Sequence, residues 1–141
     1  SAPTVNMYGF ECTKKLREGA CADRRCIYPD VCPSLPVDHS RHGELLARLR
    51  DLPGVRKVFV SSGLRHDLLL EDEEHGDAYL RDVVRHHVSG QMKVAPEHSE
   101  ARVLRAMGKP DSDTLLAFRE PVSELLDVFR KIVPRLGKLS A

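Results

Sequence analysis

The chain has 141 residues, of which 41% are hydrophobic and 30% charged, and its formal net charge is +1. Such a length and composition are typical of one soluble globular domain with a hydrophobic core. A charge so close to zero argues against strong electrostatic binding of nucleic acid or of a membrane surface. We see neither a signal-peptide pattern nor an apolar run of membrane-spanning length, and we therefore expect a cytoplasmic protein.

The chain divides into two regions of one expected domain. Residues 1–40 hold a short N-terminal strand and an irregular stretch rich in cysteine, proline and glycine, whereas residues 41–141 are regular. Four cysteines lie in the first region and none in the second, at Cys12, Cys21, Cys26 and Cys32. In a reducing compartment, clustered thiols serve more often as metal ligands or free thiols than as disulfides.

Four thiolates complete a tetrahedral zinc site or hold an iron–sulfur cluster. The gaps between these cysteines are eight, four and five residues, unlike the short paired spacings of zinc ribbons. We predict a zinc or iron–sulfur site at the four cysteines, with free thiols as the main alternative. His39 and His42 are close enough in sequence to replace one cysteine as a ligand. The lack of a Cys-x-x-Cys pair argues against a thiol redox protein.

The second region alternates between helical and strand patterns. Apolar periodicity predicts helices over residues 42–52, 76–88 and 100–107 and from residue 113 onward, with Pro121 kinking or restarting the last one. Short apolar runs predict strands over residues 55–61, as a buried strand, and 91–95. This alternation favours an α/β fold with parallel βαβ units.

Ligands of parallel sheets bind beyond the carboxyl ends of the strands, which points to two loops here. In residues 62–67, Gly63 permits close backbone approach and Arg65 can bind a carboxylate through two parallel hydrogen bonds. The alternative is a turn in which Arg65 pairs with Asp67 or with the acidic, solvated run 71–74. In residues 96–98, Glu97 and His98 are the candidates, and their alternative role is to cap the next helix.

Six stretches of the sequence carry a resemblance to a known family. They are residues 2–9 (APTVNMYG), 26–33 (CIYPDVCP), 62–68 (SGLRHDL), 86–90 (HHVSG), 93–98 (KVAPEH) and 107–110 (MGKP). In this order they resemble the YgiQ-like branch of the radical S-adenosylmethionine (SAM) enzymes, over about residues 2 to 119. The resemblance implies part of a partial (β/α) barrel from a parent enzyme that binds SAM and a 4Fe–4S cluster and acts on an unknown substrate.

The three cysteines that hold the family's cluster, spaced three and two residues apart, do not occur in this sequence. We therefore expect an internal fragment that cannot cleave SAM alone and whose partner is the remainder of the barrel. Small–any–acid motifs at strand ends contact SAM in many radical SAM enzymes, and residues 95–97 are similar. The predicted cofactor-binding residues are Ser62, Gly63, Arg65, Glu97 and His98.

The competing hypothesis is a small metal-stabilised module without catalytic activity, in which residues 12–32 form a structural knot for partner binding. Open sheet edges also invite self-association. The resemblance fades over residues 120–141, and we expect this segment to cover one such edge.

Overall fold

The structure is a computed structural model that describes residues 4–90, 92–95 and 97–132, with side chains as far as residue 125. A single 3₁₀ turn, Val5–Met7, opens this part of the chain. The α-helices are α1 (Thr13–Glu18), α2 (Ser40–Arg50), α3 (His66–Glu71), α4 (Gly76–His86), α5 (Ala101–Met107) and α6 (Ser112–Ile132). The four predicted helices correspond to α2, α4, α5 and α6. For α2, α4 and α5, whose two ends were both predicted, the observed ends differ from the predicted ones by up to two residues.

The predicted parallel sheet and partial barrel are wrong. Within the described ranges, extended segments pair only at isolated bridges, two of them antiparallel inside the cysteine-rich stretch and one parallel, between Leu64 and Val94. A strand needs neighbours to satisfy its backbone groups, whereas a helix satisfies them internally. In the predicted strand 55–61, Val60 N–H donates to the carbonyl of His87 at 2.8 Å, but Phe59 is 50% exposed. The run is therefore not fully buried as expected, although Val58 and Val60 are half-buried and pack against the core.

The hydrophobic core lies between four of the helices. α3 packs against α4 and α6, and α4 also packs against α2 and α6. The buried members of this core are Leu46, Leu64, Leu69, Tyr79, Leu80, Val83, Phe118 and Leu125. α6 continues through Pro121, so the proline does not end the helix there. With no sheet in the described part of the chain, α6 has no sheet edge to cover, and residues 133–141 lie outside the described ranges.

Two helices were not predicted from periodicity. α1 has no buried residue, and a helix without an apolar face leaves no periodic signal in the sequence. α3 has only six residues and buries three of them, His66, Leu68 and Leu69, so its apolar run is too short to show a period. None of the helices, as far as they are described, combines the length and apolar character needed to cross a membrane.

Candidate functional site

The two loops predicted to bind a cofactor lie next to each other in the structure. Leu64 N–H donates to the carbonyl of Lys93 at 2.9 Å, and Ala95 N–H donates to the carbonyl of Leu64 at 3.1 Å. Beside them, a Cβ placed on Gly63 would lie 3.2 Å from the Cβ of Ala95, so this close approach favours glycine. The structure thus brings residues 62–67 and 95–98 together, although one parallel bridge replaces the expected sheet.

Arg65 belongs to the first loop, yet it is only 4% exposed. Its Nε donates to Asp67 Oδ1 at 2.9 Å, and its Nη2 contacts Asp67 Oδ2 as well. Nη2 also donates to the carbonyl of Ile27 at 3.5 Å, which ties the cysteine-rich stretch to this loop. This pairing with Asp67 is the alternative that the sequence left open. It occupies the guanidinium nitrogens that would otherwise bind a ligand carboxylate. Ser62, by contrast, is exposed.

Glu97 and His98 have different surroundings in the second loop. Glu97 adopts a left-handed backbone conformation with φ of 66°, which is uncommon for a residue with a side chain. Its carboxylate accepts a hydrogen bond from Lys109 Nζ at 2.7 Å and remains partly exposed. His98 Nδ1 accepts a hydrogen bond from the N–H of Glu100 at 2.9 Å, just before α5, as in the capping alternative. Glu97 is therefore the better placed of the two to meet a ligand.

A buried polar network fixes the N-terminal segment behind these loops. Asn6 is fully buried, and its side-chain amide pairs with the backbone of Arg65, accepting from the N–H at 2.9 Å and donating to the carbonyl at 3.0 Å. Asn6 Nδ2 also lies 3.2 Å from His39 Nε2, while His39 Nδ1 lies 2.7 Å from Asp72 Oδ2. The sequence had suggested a solvated position for Asp72, and the structure instead buries it.

The electrostatics of this network favour a neutral imidazole beside a carboxylate. Burial lowers the pKa of His39, an effect that the Asp72 carboxylate opposes. Burial raises the pKa of Asp72, but hydrogen bonds from the backbone N–H groups of His39 and His75 and from the His39 ring outweigh it, so that this pKa is lowered. Nearby, His42 Nδ1 lies 2.8 Å from the Tyr79 hydroxyl. Since both ring nitrogens of His39 have partners, His39 is poorly placed as a metal ligand.

His66 is a further buried histidine, for which no role was predicted from the sequence. It is 2% exposed, and neither ring nitrogen has a hydrogen-bond partner in the described part of the chain. Its ring lies 5.9 Å from that of Phe118, between centroids, and burial lowers its pKa. A polar side chain buried in this way costs stability unless something else satisfies it.

The four cysteines line one cavity of about 290 Å³, which we call the cysteine cavity. Cys12 lies directly before α1, and Cys21 follows Gly19, which caps the end of that helix. Cys26 and Cys32 flank a turn that is closed by a hydrogen bond from Cys32 N–H to the Cys26 carbonyl at 2.8 Å. All four thiols are free of disulfides. Among the described residues, no three His, Cys, Asp or Glu side chains are grouped closely enough to hold a metal ion.

The wall of the cysteine cavity is rich in cations. Four basic residues and a single carboxylate line it beside the thiols, namely Lys14, Lys15, Arg24, Arg25 and Asp23. Arg24 Nη1 lies 3.7 Å from the sulfur of Cys32. Hydrogen bonds from Ser34 and from Arg24 lower the pKa of the Cys32 thiol. These surroundings therefore favour the thiolate form of Cys32, the form of cysteine that binds metals.

Comparison with known proteins gives related sequences without an activity. The chain is 46% identical over 136 residues to a protein of Fusobacterium nucleatum, a match that covers 96% of this chain and 23% of the relative. It is 50% identical over 118 residues to a protein of Methanosarcina mazei, covering 84% of this chain and 18% of that protein. Both are UPF0313 proteins. A UPF0313 protein of Clostridium perfringens is 46% identical over 136 residues, covering 96% of this chain and 19% of the relative.

The chain thus spans about a fifth of the length of the UPF0313 relatives it matches. No family model matches the sequence. No solved structure matches it either.

Proposed function

We propose that this chain is a segment of a larger radical SAM enzyme and that its paired loops contribute to the binding of SAM. The observation that carries the proposal is the pair of backbone hydrogen bonds that joins Leu64 to Lys93 and Ala95. Through it, two loops that were singled out separately, from their motifs and their positions after predicted strands, lie against each other. The much greater length of the UPF0313 relatives supports the idea that the chain works within a larger protein.

The ion pair of Glu97 and Lys109 is the part of this site that suits SAM. The amino-acid end of SAM carries an ammonium group and a carboxylate. Glu97 has the opposite charge to the ammonium group, and Lys109 has the opposite charge to the carboxylate. Their own contact is 2.7 Å long, and the Glu97 side chain is 34% exposed, so a ligand can exchange partners with the pair. Strained backbone conformations such as that of Glu97 are frequent at ligand sites. Arg65 has a positioning role, because Asp67 holds its guanidinium.

The residues of this chain do not fit the cluster that radical SAM enzymes use to cleave SAM. The cysteine triplet with gaps of three and two residues is missing from the sequence. We therefore assign binding and positioning to this chain and no step of the cleavage.

Calorimetric titration of the chain with SAM tests the proposal. Hydrogen bonds to charged groups contribute about 1.5–3 kcal/mol, so Glu97→Gln is expected to weaken SAM binding by roughly ten- to hundredfold. Glu100→Gln is the matched control, because Glu100 is an exposed carboxylate three residues away whose backbone makes the contact with His98. No binding to the unsubstituted chain, or equal affinities of the two variants, would contradict the proposal.

The second candidate function is a metal-stabilised interaction module without catalytic activity. The convergence of all four cysteines on one cavity favours it. This candidate predicts that a chelator unfolds the metal-loaded chain and that SAM produces no heat on titration. A chain that keeps its circular dichroism spectrum in the chelator would rule it out.

A further inference from the structure

A second cavity lies between the cysteine-rich stretch and the last turn of α5. It has a volume of about 500 Å³, and it is lined by Arg24, Arg25 and Arg105 together with Tyr28 and a single carboxylate, Asp23. We call it the arginine groove. Its size falls within the range of about 300–1,000 Å³ that is usual for small-molecule sites. Two of the guanidinium groups come from the cysteine-rich stretch and one from α5, so it is the fold that brings them together.

Arg25 is held in the arginine groove by two neighbours. It pairs with Tyr28 in an isolated antiparallel bridge, and its guanidinium carbon lies 5.8 Å from the centre of the Tyr28 ring. A Cβ placed on Gly108, the residue that ends α5, would lie only 2.8 Å from Arg25 Nη1. The guanidinium therefore also packs against the backbone of this glycine. Such packing restricts the side chain in advance, which reduces the entropy that binding a ligand would cost.

The positive charge of the arginine groove is not balanced within the described part of the chain. None of its three arginines forms an ion pair with a described carboxylate. Asp23 contributes one negative charge, and the carboxyl end of α5 contributes about half of one. The three guanidinium groups thus leave an excess of about 1.5 positive charges, in a chain whose formal net charge is only +1. The near-neutral total hides this local excess.

A phosphate group is the ligand that best matches this arrangement. Guanidinium groups bind phosphate oxygens through paired hydrogen bonds, and a phosphate ester or a diphosphate offers several charged oxygens at once. A carboxylate has two oxygens and one charge, which a single arginine can satisfy. Three guanidinium groups around one cavity therefore favour a phosphate-bearing ligand over a carboxylic acid.

We propose that the arginine groove binds the phosphate group of a small phosphorylated molecule through Arg24, Arg25 and Arg105. The groove shares Arg24 and Arg25 with the wall of the cysteine cavity, but none of the thiols lines it. It is also distinct from the paired loops to which we assign SAM, so the proposal does not depend on them.

Calorimetric titration of the 141-residue chain with inorganic pyrophosphate and with ADP tests the groove. Because hydrogen bonds between charged groups are strong, loss of one guanidinium group should weaken binding by roughly tenfold or more. We expect this result for Arg25→Gln and for Arg105→Gln. Arg102→Gln is the matched control, since Arg102 is an exposed arginine of α5, three residues before Arg105, that does not line the groove.

Two further comparisons separate geometry and chemistry from charge. Gly108→Ala keeps every charge, but its methyl group would displace the Arg25 guanidinium, so we expect it to weaken binding as well. Citrate, a tricarboxylate whose charge at neutral pH is similar to that of pyrophosphate, should bind more weakly than pyrophosphate. ADP that binds more tightly than pyrophosphate would identify a nucleotide as the ligand, and ADP that binds no more tightly would identify the phosphate group alone.

Three outcomes would overturn the proposal. One is the absence of binding heat with both pyrophosphate and ADP at millimolar concentrations. Another is an equal loss of affinity in Arg102→Gln and Arg105→Gln, because binding would then follow the overall charge. The third is a citrate affinity equal to that of pyrophosphate. Circular dichroism checks the fold of each variant, and if Gly108→Ala does not fold, the two exposed arginines of α5 still decide. None of these titrations contains SAM, so their failure is distinct from a failure of the proposed function.

Discussion

Replacement of Asn6 by alanine tests whether the buried polar network holds the N-terminal segment in place. Asn6 is the only side chain that pairs with both backbone groups of Arg65 in the described part of the chain. Alanine would leave the N–H and the carbonyl of Arg65 buried without those partners. Each buried group left unsatisfied costs about 1–3 kcal/mol, and neighbouring losses are not additive. We therefore expect Asn6→Ala to lower the free energy of unfolding by about 3 kcal/mol.

Urea unfolding followed by circular dichroism measures this effect. With an m-value of about 2 kcal/mol/M for a chain of this size, the midpoint should fall by about 1.5 M. Thr4→Ala is the control, because it removes only the part-buried hydrogen bond from Thr4 Oγ1 to Asn6 Oδ1, 3.1 Å long, which is worth about 1 kcal/mol. If Asn6→Ala cost no more than Thr4→Ala, the network would not carry the stability assigned to it.

Two further predictions concern stability. Burial lowers the pKa of His39, His42 and His66 in the folded chain. Because the unfolded chain then binds more protons than the folded one, the free energy of unfolding should fall as the pH drops below about 6.5. His66→Leu should reduce that fall in a urea series from pH 7.5 to 5, and an identical pH dependence of the two proteins would refute this assignment. A Cβ on Gly76 would overlap a backbone carbonyl oxygen of α3, whereas one on Gly43, inside α2, meets nothing closer than 3.8 Å. In thermal unfolding, Gly43→Ala should therefore stabilise the chain by about 0.5–1 kcal/mol and Gly76→Ala should destabilise it; two shifts of the same sign would contradict this packing.

The parallel sheet is the clearest case in which a local sequence pattern led to a wrong prediction. The apolar run over residues 55–61 was predicted to be a strand, yet the structure has no strand there, since a strand forms only where other strands lie beside it. The one parallel bridge in the described part of the chain joins Leu64, in a predicted loop, to Val94. This single pairing brings the two candidate loops together.

The roles of individual polar residues depended on contacts that no sequence pattern contains. Asp67 was one of two candidate partners for Arg65, and only the packed structure selects it. Asp72 lies in a run of four acidic residues, three of which are exposed, and its burial follows from His39, which is 33 positions away. Apart from its place in a family motif, nothing in the sequence predicts that His66 is buried without a hydrogen-bond partner. Such burial depends on the residues that pack around the side chain in the folded chain.

The sequence by itself determined the four periodic helices, since their hydrogen bonds are local and their apolar faces repeat along the chain. It also singled out the four cysteines and the two candidate loops, because the residue types alone carry that chemistry. Only the tertiary structure decided that the cysteines share one cavity with four cations in its wall. The same holds for the buried pairing of Asn6 with Arg65, which are 59 positions apart. Contacts between such distant residues arise only when the chain is packed, because the free energy that holds them comes from burial and not from local backbone preference.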